Sequence, residues 1–484
     1  MWAFTCHAQT LYNAKEDSLW RERAKFLPAN VAGKGHTGNW QRIKMYADQF
    51  RAKPRSVGNN GRDTCNGWTG NPNGFGEGNF IPVWQFVKAE NAAFVYRCMK
   101  DTSYGNPAKR LVLWQVRQKG NADIGSWPIT LNYQDGFHAA KLVVRLSWTA
   151  DFVWDLLTPA ERSEITAWQN RAGTFYYLRW QANIVRCFPN RLKDDYTVRS
   201  YMAGPKGFTQ WKEPIWADVN QIRFTAYGGK DVRTHVNPDG TQGNRVSKVS
   251  QIYNNREAII HLAIFYCGVM AKNPVLIADG IRYNKEWLMF AVWQDGTFSE
   301  YERNGINSYG NGVTLNNPAQ GASWYGAINY TAYMLIADHL AKNGNPELYT
   351  FSTRVGAHGT EVPSNLPPKT FATVLDRVMD NYRGARPIYY GKVNDSLRIS
   401  CQTLYMPKNG VPWMAPYDCA FAIANRWYKS ANYQALYQRT LGGVPAYNNN
   451  LATASSVTNN WGGPEAEVPS IPFMFGATEG VAYK

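Results

Sequence analysis

The sequence predicts an all-α protein organised as one large helical domain spanning 1–484. Three observations carry that expectation. Apolar residues recur at helical spacing over most of the 484 residues. Strand-like alternation is confined to one short stretch, Leu397 to Leu404. No Ser- or Pro-rich linker and no readable repeat divides the chain. A hydrophobic content of 44% belongs to a folded globular protein, and the length suffices for a large core. Helices in such number, joined antiparallel, bury their apolar faces as a ring of hairpins, with long loops at one end forming a cleft.

In chain order, helical spacing predicts helices over about Pro82 to Met99, Pro107 to Gln118, Phe137 to Leu157 and Pro159 to Trp180. Thr158-Pro159 places a capping hydroxyl before a proline at the first helical position, with Glu161 and Glu164 in the opening turns. Further helices are expected over about Asn254 to Met270, Asp279 to Trp293, Ser323 to Lys342, Pro368 to Tyr382 and Tyr417 to Tyr437. Two long loop-like regions stand out. Residues 56–79 are rich in Gly and Asn and carry Trp68 and Phe75, which fits a lid that lowers a ring over a bound chain and equally fits a tolerated surface loop. Pro189 to Ser250 is polar and basic, carries His235, and leads directly into Tyr253-Asn254-Asn255-Arg256.

Composition narrows the partners. Lys and Arg number 52 against 36 Asp and Glu, a formal charge of +16, and a field of that sign attracts polyanions. The basic residues form no run of five or six, so a solvated basic surface is the plain alternative. No RNA-binding signature, zinc-finger spacing or basic helix with heptads is present, which argues against nucleic acid. The 19 Trp, 29 Tyr and 21 Phe are mostly core material, but flat rings also stack on sugar faces. The longest apolar stretch, Ile259 to Ala271, is interrupted by His261 and is too short to cross a bilayer, so no membrane association is expected. No secretory signal is visible, and Met1 directly before Trp2 reads as a start added to a mature sequence. Seven cysteines leave at least one unpaired; Cys267 reads as a buried free thiol, whereas Cys6 with Cys65 and Cys401 with Cys419 are pairs open to oxidation. Neither a paired-His motif nor an acidic calcium loop occurs, so neither metal nor other cofactor is expected.

Removing a proton beside a carboxylate pushes further negative charge onto that group. An enzyme doing so needs hydrogen-bond donors aimed at the carboxylate, a base for the proton and an acid for the leaving oxygen. Asn254, Asn255 and Arg256 supply donors at a helix N-terminus, where backbone N–H groups already favour an anion. An Asn at that place is also an ordinary helix cap. Tyr309, in a Gly- and Asn-rich turn, supplies a phenol. A free tyrosine has a pKa near ~10, which a close guanidinium lowers; Arg303 is placed to provide it, with Glu302 to orient that arginine. A surface Tyr and Arg in a loop is the competing reading. His138, after Tyr133-Gln-Asp-Gly-Phe, and His235 are candidates for binding substrate, and His261, inside an apolar helix, reads as a satisfied core residue.

At these residues the chain resembles the helical-barrel alginate lyases and their glucuronan-cleaving relatives. Their pattern is an Asn-Asn-His-type helix start, a helical hairpin, Asp-Gly, an acidic residue, Arg and Tyr. Here it reads Asn254-Asn255-Arg256, helices to about Trp293, Asp295-Gly296, Glu302, Arg303 and Tyr309, and covers Val249 to Gly310. The resemblance implies a single (α/α) toroid, an incomplete helical barrel with long cleft-forming loops. It implies a secreted or periplasmic monomer that cleaves a β-1,4-linked uronic acid polymer, polymannuronate (alginate) or glucuronan, by β-elimination. Asn255 and Arg303 would neutralise the carboxylate and Tyr309 would act as base and acid; read from the residues alone, Asn254, His138, Trp68 and His235 are substrate-binding candidates. Arg256 stands where the family has His. Arg cannot act as a base, so both transfers fall to Tyr309, which requires H5 and O4 on one ring face: syn elimination. Two other readings stay open. A glycoside hydrolase on a helical toroid would use two carboxylates from among Asp135, Asp295, Glu300 and Glu302. A non-catalytic binder of acidic polysaccharide would use the charge and aromatic rings alone.

Overall fold

The computed structural model of the protein describes residues 11–12, 14–26, 36–52, 54, 81–117, 133–187, 235–236, 242–243, 253–298, 318–354, 364–383, 389–390, 399–400 and 415–435. Most of these are helical. Helices α1 (Ala14–Phe26) and α2 (His36–Ala52) were not expected from sequence. They are followed by α3 (Ile81–Met99), α4 (Thr102–Val116), α5 (Tyr133–Phe152) and α6 (Pro159–Cys187). Then come α7 (Asn255–Ala271) and α8 (Pro274–Glu286), which runs into a π-helical turn over Trp287–Ala291. The series ends with α9 (Pro318–Lys342), the short α10 (Glu347–Thr350), α11 (Phe371–Arg383) and α12 (Ala415–Tyr428).

Local chemistry explains the boundaries. Helix α4 starts five residues before Pro107 because the Asp101 side chain caps it, accepting from the Ser103 N–H at 2.9 Å, and Pro107 is carried inside the helix. Helix α6 starts where expected, with a reciprocal capping box: the Thr158 N–H donates to Glu161 at 2.7 Å and the Glu161 N–H donates to the Thr158 hydroxyl at 3.3 Å. Helix α8 begins at Pro274, earlier than Asp279, because the Asn273 side-chain oxygen accepts from the N–H groups of Val275 and Leu276. Helix α12 ends earlier than expected, since Lys429 takes a left-handed φ of 54° and a separate turn follows at 431–435. Among the described residues, strands are two-residue pieces: β1 (His235–Val236) pairs with β2 (Gln242–Gly243), β3 (Ser352–Thr353) with β4 (Lys369–Thr370), and β5 (Tyr389–Tyr390) with β6 (Ile399–Ser400), all antiparallel. Only β6 falls within the expected strand at Leu397 to Leu404.

Burial sorts the helices into central and peripheral. The described side chains of α5 and α9 are buried almost all round, and those of α3 and α7 nearly so. Helices α4, α6 and α8 each keep an exposed face. The central helices pack in sequence: α3 against α5, α5 against α7, α7 against α9, and α9 against α12. Between them in the chain, α4, α6 and α8 return along the outside, α4 and α8 through two-residue turns at Lys100-Asp101 and Lys272-Asn273. Close packing of α7 on α8 depends on Gly280, where a Cβ would come within 2.7 Å of Phe265 Cβ.

The central helices run parallel, since they bring the same ends together. Their C-terminal halves meet around Leu11 to Asp17. Arg97 of α3 pairs with Asp17 at 2.5 Å and donates to the Asp151 carbonyl of α5 at 3.2 Å. Tyr12 stacks on Phe152, 5.1 Å between ring centroids, and meets Trp148 edge-on, which in turn contacts Tyr266 of α7. Glu16 accepts from Arg426 of α12 at 2.9 Å and from Lys342 of α9 at 3.2 Å. Asp338 closes this group, 2.9 Å from Arg426 and 3.2 Å from Lys342. Cations at converging helix C-termini are electrostatically favoured there. No described helix is long and apolar enough to cross a membrane.

Candidate functional site

The opposite end of the molecule is where the central helices begin. A 19-residue helix such as α3 is roughly 28 Å long at about 1.5 Å per residue, so the starts of α3, α5, α7, α9 and α12 lie well away from Leu11 to Asp17. Unpaired N–H groups and aligned peptide dipoles give each start a partial positive charge, and several starts at one end add to an anion-attracting field.

In chain order, the eight residues selected for catalysis or substrate binding precede or fall near the start of α3, α5, α7 or α9, and five of the eight are among the described residues. Trp68 and residues 56–79 precede α3 and lie outside the described residues. His138 falls in the second turn of α5. His235 stands in β1, paired with Gly243, ahead of α7. Arg303 and Tyr309, with Glu302, precede α9 and lie outside the described residues. Of the cysteines, Cys6, Cys65 and Cys401 also lie outside them. Cys267 is a buried free thiol, as expected, donating to Gln169 at 2.9 Å; burial pushes its pKa up.

The motif at the start of α7 is fully described. The Asn254 side chain accepts from the Arg256 N–H at 2.9 Å and from the Glu257 N–H at 3.2 Å. Asn254 is therefore the N-cap, a geometry that typically stabilises a helix by about 0.5–2 kcal/mol. Asn255 is buried as the first helical residue and Arg256 is part-exposed. Behind the turn, the Tyr253 hydroxyl donates to Glu286 at 3.0 Å and the Tyr283 hydroxyl donates to the Asn254 carbonyl at 3.3 Å.

Glu286 and Tyr283 belong to a buried polar face of α8 that was not foreseen: Asp279, Arg282, Tyr283 and Glu286. The spacing 279, 282, 283, 286 is that of one helix face and was readable, but polar residues at helical spacing are ordinarily taken as exposed. Arg282 pairs with Asp279 and lies 3.7 Å from Glu286. Asp279 also meets the Nδ1 of His261 at 3.0 Å. Burial alone would raise the Asp279 carboxyl, but Arg282 and His261 outweigh it and hold the pKa below the usual range. Burial lowers the His261 pKa against the pull of Asp279, so a neutral imidazole faces an ionised carboxylate. His261 also stacks on Tyr283 at 3.9 Å and meets Trp180 edge-on at 4.4 Å; it is the core residue expected, but its ring nitrogens are held by charge proximity and ring contacts rather than by well-formed hydrogen bonds.

The Asp295-Gly296 turn is equally anchored. The Asp295 carboxylate accepts from the N–H and hydroxyl of Thr297 at 3.0 and 2.7 Å, and its other oxygen lies 3.5 Å from Arg377. Gly296 has φ of 87°, and a Cβ there would overlap the Thr373 carbonyl oxygen. The Lys369 ammonium, pushed down to about 7 by burial, donates to the carbonyls of Met289 and Val292 at the end of the π-helical turn. From this clamp the chain leaves toward Glu302, Arg303 and Tyr309. Asp295 thus serves the turn and α11, whatever its role toward a ligand. No group of three or more His, Cys, Asp and Glu able to hold a metal occurs among the described residues.

Compared with protein-family models and with curated proteins, the chain matches none.

Proposed function

We propose that the protein is a polysaccharide lyase acting on a β-1,4-linked uronic acid polymer, polymannuronate or glucuronan. One observation carries the reading: the parallel central helices begin at one end, where Asn254–Arg256 open α7 and His138 lies in the second turn of α5. The alternation of central and peripheral helices supports an (α/α) toroid, and such an end supplies its cleft. The positive field of the helix starts, with a chain charge of +16, favours a polyanion.

In the proposed reaction Asn255 and Arg303 donate hydrogen bonds to the substrate carboxylate, and Arg256 adds positive charge beside them. The Tyr309 phenolate, held by Arg303, takes the proton from C5. Electrons of the C5–H bond form the C4–C5 double bond as the C4–O4 bond breaks, and the Tyr309 hydroxyl returns that proton to the departing O4. One phenol serves both steps when H5 and O4 share a ring face. His138, His235, Asn254 and Trp68 are assigned to substrate binding, and the setting is secreted or periplasmic.

The test is an absorbance screen of the protein against pure polymannuronate, glucuronan and polyguluronate. The lyase reading expects a rise in ultraviolet absorbance from the unsaturated product end on one of the first two. Shortened polymer with new reducing ends and no absorbance would instead establish a hydrolase, and tight polymer binding without cleavage a binding protein.

A further inference from the structure

The buried polar groups between α7 and α8 form a circuit of hydrogen bonds, charge contacts and one ring stack. Tyr253 bonds Glu286, Glu286 lies beside Arg282, Arg282 pairs with Asp279, and Asp279 meets His261. His261 stacks on Tyr283, whose hydroxyl returns to the Asn254 carbonyl. Both ends of the circuit land on the turn that opens α7, one on each side of the Asn254 cap. Burying such a set is seldom the most stabilising way to join two helices, since apolar side chains of similar volume often do as well or better. What the hydrogen-bonded links add is direction: Tyr253 to Glu286, Arg282 to Asp279 and Tyr283 to the Asn254 carbonyl each fix one donor against one acceptor, where apolar packing tolerates small shifts.

We propose that this circuit is a positioning device for the Asn254–Arg256 turn, with Glu286 and Tyr283 as positioning residues acting through Tyr253 and the Asn254 carbonyl. The inference rests on the reading of that turn as the carboxylate-neutralising group, and extends it to residues that never touch substrate. It makes the geometry of the turn depend on α8 rather than on the helix cap alone.

The test compares wild type with Tyr253→Phe, Glu286→Leu and the double variant by amide hydrogen exchange. The N–H groups of Arg256 and Glu257, which the cap holds, are read against those of Ile264 to Met270 on the same helix. Each single variant is expected to speed exchange at 256 and 257 about tenfold, the double no more than the worse single, with the distal amides unchanged. Unchanged exchange at 256 and 257, or equal acceleration along the whole helix, overturns the proposal. Tyr253→Phe keeps the ring and removes one hydroxyl, so it decides the matter should Glu286→Leu not fold. On a polymer that the wild type cleaves, Tyr253→Phe is expected to lower kcat about tenfold with KM within twofold; a change in KM alone overturns the positioning role. Absence of cleavage by the wild type counts against the lyase reading, and the exchange result still decides the device.

Discussion

Replacing Arg426 by Met breaks the group that ties the first helix to α9 and α12. Two carboxylates, Glu16 and Asp338, share two cations, Lys342 and Arg426; the two acids and Arg426 are buried, and Lys342 is part-buried with its side chain turned inward. The guanidinium lies 2.9 Å from both acids, so its loss leaves two carboxylates with one ammonium in a site shielded from water. Removing one partner of a buried pair typically costs about 3–5 kcal/mol. At about 4 kcal/mol the unfolding equilibrium shifts roughly 10³-fold, since about 1.4 kcal/mol is tenfold. Urea unfolding of wild type, Arg426→Met and the double variant Arg426→Met/Asp338→Leu measures it. The double variant restores charge balance and is expected to recover at least half the loss. Because this group sits at the end away from the helix starts, kcat of the folded Arg426→Met protein should stay within twofold of wild type. A destabilisation under about 1 kcal/mol, the range of exposed pairs, would refute the closed, water-free group described above.

Gly296→Ala places a methyl group against the Thr373 carbonyl at a φ of 87°. It should destabilise the protein by more than about 1 kcal/mol, read as a lowered urea midpoint; a midpoint equal to wild type would contradict the seating of that turn on α11. His339 is buried and its pKa is pushed down to about 3, mainly by burial, with Lys342 adding to the effect. An unfolded His takes its proton near ~6.5. Stability from this group is therefore present above ~6.5 and lost as pH falls toward 3, with a slope of about 1.4 kcal/mol per pH unit. His339→Gln should flatten the pH dependence of urea stability by about that slope over this window, and an unaltered slope would count against a neutral buried imidazole. Asn254→Ala should cost about 0.5–2 kcal/mol, whereas Asn254→Asp, which keeps the accepting oxygen, should cost clearly less; equal losses would show that the cap contributes nothing.

The helices legible in the sequence were those whose buried faces are apolar. Helix α7 was visible because Ile259 to Met270 is nearly all apolar, and Asn254 marked its start. Helix α1 was not, since it buries Glu16 and Asp17 alongside Trp20, and buried charges break the pattern that apolar periodicity detects. In α2, Trp40, Ile43, Ala47 and Phe50 do recur at helical spacing, but the Gly38-Asn39 opening disguised them. The start of α8 was placed late, at Asp279, for a different reason: only two residues separate it from α7, too short a gap for the Asn273 cap before Pro274 to stand out. At the candidate site, residue types were enough to pick out Asn254 to Arg256 but not to divide their tasks; the two hydrogen bonds that make Asn254 the cap are a matter of geometry. The circuit behind that turn was hidden because Asp279, Arg282 and Glu286 look like solvent-facing charges until α7 is packed against them.

The most direct measurement is the ultraviolet absorbance of polymannuronate or glucuronan incubated with wild type and with Tyr309→Phe, alongside polymer binding by both. A rising absorbance with wild type, none with Tyr309→Phe and equal binding by the two is the result expected of a lyase that depends on one phenol. Cleavage without absorbance, or full activity in Tyr309→Phe, would contradict it.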